Sequence, residues 1–284
     1  MNLARMPADQ AQAGRQREPS ARTDAGAPAA QPDAAELLQL RGIAHHFGGL
    51  NVLTNVNIGV PQGRIVGLLG PNGSGKTTCF NIASGFLAPR AGSVLFQGQD
   101  VTGWSVQRRG AAGLVRTFQT PKVFEHMSVH ENLMVGEYKA THAGWLGALL
   151  RLPGARRELD GMRERAHACA QRFGLAKLLD QPAGRLPAGQ RRIVELARAC
   201  IGQPRMLLLD EPSSGLNSEE IETLRHWIGT LHAEGLTILL VSHDMGLMTV
   251  CTQAHVLYFG EIIATGTLAQ VQDDPRVREA YLGI

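Results

Sequence analysis

At 284 residues, 44% of them hydrophobic and 19% charged, the chain is long enough to bury a full core and reads as one enzyme-sized unit, a domain or a domain plus a lobe. A net charge of +3 with no run of five or more like charges argues against a nucleic-acid-binding arm. Apolar runs such as 206–209 and 238–241 fall far short of the roughly 18 residues that cross a bilayer, and four dispersed cysteines with no C-x-x-C pair argue against a disulfide framework or zinc site and fit a reducing compartment.

Residues 1–35 are rich in Ala, Gln, Pro, Arg and Asp and nearly free of large apolar side chains, which predicts a disordered tail. They lack the apolar stretch of a secretory signal, and Asp9, Glu18, Asp24 and Asp33 speak against a transit peptide. Short apolar strands follow at 38–43, 53–58, 65–69 and 94–96, separated by Gly turns, and predict a β-rich opening layer. Between about 138 and 186 the spacing turns helical, with many charges over 156–173, and predicts an inserted helical lobe. Buried strands at 206–209 and 237–241, each preceded by a helical stretch, signal βαβ units and a parallel sheet, so the core is α/β. A hairpin through Gly260 at 255–267 and a short helix at 276–282 complete the chain.

Two stretches carry chemistry. Gly70-Pro71-Asn72-Gly73-Ser74-Gly75-Lys76-Thr77, followed by Thr78, fits G-x-x-x-x-G-K-[ST] directly after the strand at 65–69 and before a predicted helix. Glycines let successive N–H groups turn inward around an anion, the helix N-terminus adds partial positive charge, and Lys76 adds a full one. Such a loop holds nucleotide phosphates, with the Thr77 hydroxyl placed for Mg²⁺. The second strand ends in Leu209-Asp210-Glu211-Pro212, delivering two acids to the carboxyl end of a parallel strand, where ligand crevices form. Asp210 suits a Mg²⁺ shell and Glu211 a general base beside an attacking water.

In order and spacing, residues 37–284 resemble the ABC ATPase family. Gln119, within Arg116-Thr117-Phe118-Gln119-Thr120, resembles the glutamine of the family's Q-loop, which reaches the metal and the nucleophilic water while its loop faces the membrane subunits. Leu186-Pro187-Ala188-Gly189-Gln190 resembles the signature L-S-G-G-Q, whose helix N-terminus contacts the γ-phosphate of ATP held by a second subunit. Pro187 and Ala188 depart from that pattern, which implies one hydroxyl donor and one backbone N–H fewer, while Gly189 and Gln190 remain. Residues 213–217 match the D-loop, His243 resembles the switch histidine, and Phe47 stands where the family stacks an aromatic on adenine, with His45 and His46 as weaker candidates. The resemblance therefore implies a P-loop NTPase core with an antiparallel β subdomain and a helical subdomain at about 120–200, catalytic Glu211, His243 and Gln119, metal ligands Thr77, Gln119 and Asp210, ATP and Mg²⁺ as ligands, and a dimeric composite site.

Within that family three features are similar to the LivG-type ATPases of branched-chain amino acid importers: Phe47-Gly48-Gly49-Leu50, the long stretch over 125–186 with its 144–150 segment and Arg156-Arg157, and the ending Ala280-Tyr281-Leu282-Gly283. The likeness implies integral membrane permease subunits as partners, a second ATPase subunit that is either LivF-like or a second copy, a periplasmic or extracellular solute-binding protein acting indirectly, no nucleic acid, and a place on the cytoplasmic face of the inner membrane. ATPases of urea importers, or of other small polar solutes, share much of this pattern. A soluble ABC ATPase acting on DNA or ribosomes would carry coiled-coil insertions, zinc motifs or tandem cassettes, and a module without turnover would lack Glu211. Residues 145–152 are amphipathic enough for a membrane-surface helix or for packing on the lobe.

Overall fold

A computed structural model describes residues 35–137 and 153–282. The expected tail, apart from Ala35, and the amphipathic 145–152 stretch lie outside the described residues. The strands are β1 (Glu36–Phe47), β2 (Leu50–Pro61), β3 (Ile65–Leu69), β4 (Ala91–Phe96), β5 (Gln99–Asp100), β6 (Leu114–Arg116), β7 (Met206–Asp210), β8 (Thr237–Val241), β9 (Gln253–Tyr258) and β10 (Glu261–Gly266). The helices are α1 (Lys76–Ser84), α2 (Val106–Ala111), α3 (Val129–Gly136), α4 (Pro153–Arg172), α5 (Ala188–Ile201), α6 (Ser218–Ala233), α7 (Met245–Met248), α8 (Leu268–Asp273) and α9 (Pro275–Leu282).

Two sheets organise them. An antiparallel sheet runs β2-β1-β4-β5, and a six-stranded sheet runs β10-β9-β3-β8-β7-β6. In the larger sheet β6, β7, β8, β3 and β9 are parallel, and only β10 joins antiparallel through the hairpin at Gly260. This corrects one expectation: β3 does not belong to the opening β layer but sits between β9 and β8 at the centre of the parallel sheet. Its composition explains why. All five residues are buried, with no polar alternation, as a strand covered on both faces requires.

The parallel strands divide their side chains by period two between two cores. Val66, Leu68, Met206, Leu208 and Leu239 face α1 and the antiparallel sheet, packing on Phe80, Ile82, Leu40 and Val56. Ile65, Leu69, Leu207, Leu209 and Leu240 face the opposite way, into a cluster with Val194 and Ala197 of α5 and Ala166 and Ala170 of α4. Each fully buried aliphatic side chain contributes roughly 1.5–3 kcal/mol, so the sheet is a rigid base whose carboxyl ends hold loops in place. α4 buries only Ala166, Cys169 and Ala170. That narrow small-residue stripe is why its sequence reads as mostly charged.

Candidate functional site

The phosphate loop follows β3 and is closed by parts of the chain distant in sequence. Gly260 N–H donates to Ser74 O at 3.0 Å, and Thr54 N–H donates to Gly260 O at 2.8 Å, so the β9–β10 turn and β2 together brace the loop. Gly75, at φ 106°, is the N-cap of α1, and a Cβ there would lie 2.7 Å from Leu53 Cδ2 and 2.9 Å from Val52 O. A Cβ on Gly70 would lie 2.2 Å from Leu257 O. Only glycine fits either place.

The loop's donors are arranged for an anion. α1 begins with no side-chain cap and no acid in its first turn, which leaves its N-terminal N–H groups and partial positive charge available. The Ser74 hydroxyl is buried with no partner among the described residues. Lys76, buried, turns its ammonium onto Gly70 O at 2.8 Å and Pro71 O at 2.9 Å. Burial lowers its pKa from the ordinary lysine value, and the negative charges of Glu211 and Asp210 oppose that shift. Thr77 is exposed on the first turn of α1. An orphaned hydroxyl, an uncapped helix start and a partly desolvated lysine fit a nucleotide's phosphate chain. Thr77, Asp210 and Gln119 add oxygen donors of the kind that a hard cation such as Mg²⁺ takes.

The carboxyl ends of β7 and β8 bring the remaining polar groups together. Glu211 adopts φ 42°, a costly conformation for a residue with a side chain. Its backbone is held there by Glu211 N–H donating to Val241 O at 2.8 Å. One carboxylate oxygen, Oε2, lies 3.5 Å from Gln119 Nε2 and 3.4 Å from His243 Nδ1. Ser213 and Ser242 hydroxyls meet at 3.1 Å, and Ser242 Oγ accepts from Asp244 N–H at 3.0 Å, tying the loop after β7 to the loop that carries His243. Two residues far apart in sequence, Gln119 and His243, thus converge on Glu211.

Asp210 has a partner that was not expected from the sequence. Arg116, the last residue of β6, donates to Asp210 Oδ2 at 2.6 Å and also to Asn81 Oδ1 and Ser84 Oγ of α1, both at 2.8 Å. Its guanidinium lies 5.3–5.7 Å from the ring centroids of Phe80, Phe86 and Phe118. A basic residue ending a partly buried strand next to the Q-loop was the available signal. Phe47 is 52% exposed with His45 edge-on at 4.7 Å; His45 itself is buried, while His46 is exposed with its Nδ1 on Gly48 O.

The signature stretch differs from its expected form in two ways. Pro187 is the N-cap of α5 and not a first-turn residue (φ −55°, ψ 159°), so its missing N–H lies outside the helix and none of the donors at 188–190 is lost with it. What is absent is a capping hydroxyl: α5 has no side-chain cap. Instead Glu220 Oε1 of α6 accepts from Gly189 N–H at 3.0 Å, while Glu220 Oε2 accepts from Asn217 N–H at 3.0 Å in a capping box. Glu220 went unrecognised, although Asn217-x-x-Glu220 is a legible capping pattern. Among the described residues, no hydrogen bond joins 186–190 to the phosphate loop.

Comparison with known proteins agrees with this geometry. A family model for ABC transporters matches residues 53–214, and one described as a branched-chain amino acid ATP-binding cassette transporter matches residues 261–284. The chain is 39% identical over 249 residues to the high-affinity branched-chain amino acid transport ATP-binding protein LivG of Escherichia coli K12, covering 87% of this chain and 98% of that one. It is 37% identical over 250 residues to the corresponding protein BraF of Pseudomonas aeruginosa, with the same coverage. Among solved structures, a nucleotide-free ATP-binding cassette from an ABC transporter superposes with a TM-score of 0.77 at 33% identity, covering 88% of this chain and all of that one. A cassette in its ADP conformation matches equally well. On its fold, its phosphate loop and these matches, the chain belongs to the ABC transporter family, as one of its ATP-binding, ATPase subunits.

Proposed function

We propose that this subunit hydrolyses ATP to energise import of branched-chain amino acids through separate membrane subunits. The observation that carries the chemistry is the meeting of Gln119 and His243 on one oxygen of Glu211, at the carboxyl edge of the sheet that bears the phosphate loop. Lys76, the N–H groups of 72–78 and the Ser74 hydroxyl bind the phosphates. Lys76 exchanges two carbonyl partners for phosphate oxygens, a charge-assisted and stronger contact. Mg²⁺, held by Thr77, Asp210 and Gln119, would neutralise charge on the phosphates. Glu211 orients the attacking water and takes its proton, and His243 and Gln119 fix the carboxylate for that transfer. Phe47 stacks on the base.

The transported solute is assigned on the names of the relatives and on the family match over 261–284. We assign 36–284 to the ATPase domain, with its helical insertion at about 120–200. Among the described residues no helix is long and apolar enough to cross a membrane. Docking on permease subunits at the cytoplasmic face is supported by a groove of about 360 Å³ beside the Q-loop, where Phe124 and Val135 are exposed. Residues 186–190 receive the nucleotide of a second ATPase subunit, LivF-like or a second copy, and the solute-binding protein acts through the permease.

Glu211→Gln tests the chemistry. It keeps ATP binding and loses turnover by roughly 10²- to 10⁴-fold. Hydrolysis near the normal rate would remove Glu211 from the role of base.

A further inference from the structure

Residues 118–124 form neither helix nor strand, yet their backbone is not left to solvent. α5 supplies the partners from side chains one turn apart. Arg192 Nη1 donates to Phe118 O at 2.6 Å, and its Nη2 donates to Gln119 O. Glu195 Oε1 accepts from Lys122 N–H at 3.1 Å and from Phe118 N–H at 3.4 Å. The two side chains are joined by Arg192 Nη1 donating to Glu195 Oε2 at 2.7 Å, and both are nearly inaccessible, 2% and 3% exposed. A turn later Arg198 donates to Lys122 O and, at 3.3 Å, to Asn132 Oδ1.

An ion pair buried this deeply is weak evidence for stability, because removing both charges from water offsets most of their attraction. What this pair does that apolar side chains could not is offer fully charged donors and acceptors to four backbone groups of an irregular loop. The guanidinium fork grips consecutive carbonyls at 118 and 119, which fixes the backbone from which the Gln119 side chain reaches Glu211. The same helix begins at Ala188, directly after the signature proline. Its first turn and its grip on the Q-loop are therefore one rigid piece.

We propose that Arg192 and Glu195 are positioning residues for Gln119, holding the backbone from which its side chain reaches Glu211. The proposal rests on the catalytic reading of Gln119 and Glu211 given above.

A double-mutant cycle on the full-length chain decides it, with kcat and KM measured for ATP and affinity measured separately with a fluorescent ATP analogue. Arg192→Lys replaces the fork with a single ammonium. It should lower kcat by about tenfold, short of the roughly hundredfold that a full 1 Å misplacement can cost, while nucleotide affinity stays within about twofold because the phosphate loop is untouched. In a Gln119→Ala background the same substitution should have no further effect on kcat. Additive losses would show that Arg192 acts through something other than Gln119 and overturn the proposal, as would an unchanged kcat in Arg192→Lys. If Gln119→Ala alone leaves kcat intact, the catalytic reading of Gln119 falls and the positioning role falls with it; Glu211→Gln reports separately on the base. Where Arg192→Lys does not fold, Glu195→Gln keeps the side-chain volume and carries the same cycle.

Discussion

Two helix N-termini in this molecule face nucleotide phosphate in the proposed assembly, α1 in the chain's own site and α5 in the partner's, and they are finished differently. Neither has a side-chain cap or an acid of its own in the first turn. At α1 the free donors stay free, and the adjacent Ser74 hydroxyl is orphaned as well. At α5 the Gly189 N–H already donates to Glu220, a carboxylate anchored on the N-cap of α6. An anion site is recognised by donors without partners, and only the first helix meets that description. The second carries a resident negative charge that an incoming phosphate must displace or approach against.

Substitutions at the two ends should separate them. The largest effect is expected at the open end. Lys76→Ala removes a charged hydrogen-bond donor worth about 1.5–3 kcal/mol, so affinity for a fluorescent ATP analogue should fall about 10- to 100-fold; an unchanged affinity would mean that the loop is not the phosphate site. A smaller effect of opposite sign belongs to the occupied end. Glu220→Gln removes the resident charge, and favourable helix-dipole interaction with phosphate is worth about 0.3–1 kcal/mol. ATP-driven closure of the assembled transporter should then tighten about two- to fivefold, and weaker closure would recast Glu220 as a support for the signature turn. The smallest belongs to Pro187→Ser. A serine N-cap typically adds about 1 kcal/mol to its helix, but its hydroxyl would compete with Glu220 for the same first-turn donors. Closure should change less than threefold, and a tenfold gain would show that the proline, not the glutamate, limits this half of the site.

The same contrast explains what could be read from the chain. The phosphate loop was legible because its chemistry is local: eight consecutive residues, a buried strand before them and a helix after. The parallel strands β7 and β8 were legible as short continuous apolar runs, and the hairpin through Gly260 and the terminal helix fall close to where their patterns placed them. β3 was found as a strand but assigned to the wrong sheet, because five apolar residues do not say which neighbours cover them. Family resemblance singled out Gln119 and His243, but no local pattern links them to Glu211, and their meeting on its carboxylate is visible only in the folded chain. Arg116, Glu220, Arg192 and Glu195 were passed over for one physical reason. Each is a charged residue in a sequence where charge usually means surface, and each matters through a partner that only the folded chain brings near.

β3, the strand that presents the phosphate loop, is paired on both edges only by β8 and β9, and the loop itself is latched by the turn at Gly260. At synthesis rates of about 5–20 residues per second, β3 precedes its neighbours by roughly ten to thirty seconds. Throughout that interval a fully apolar strand has no sheet to enter. ATP can lend it no support either, because the loop lacks the residues that close it. Nucleotide binding is therefore a property of the nearly finished chain, and until then Val66 and Leu68 of β3 have only the early antiparallel sheet and α1 to cover them.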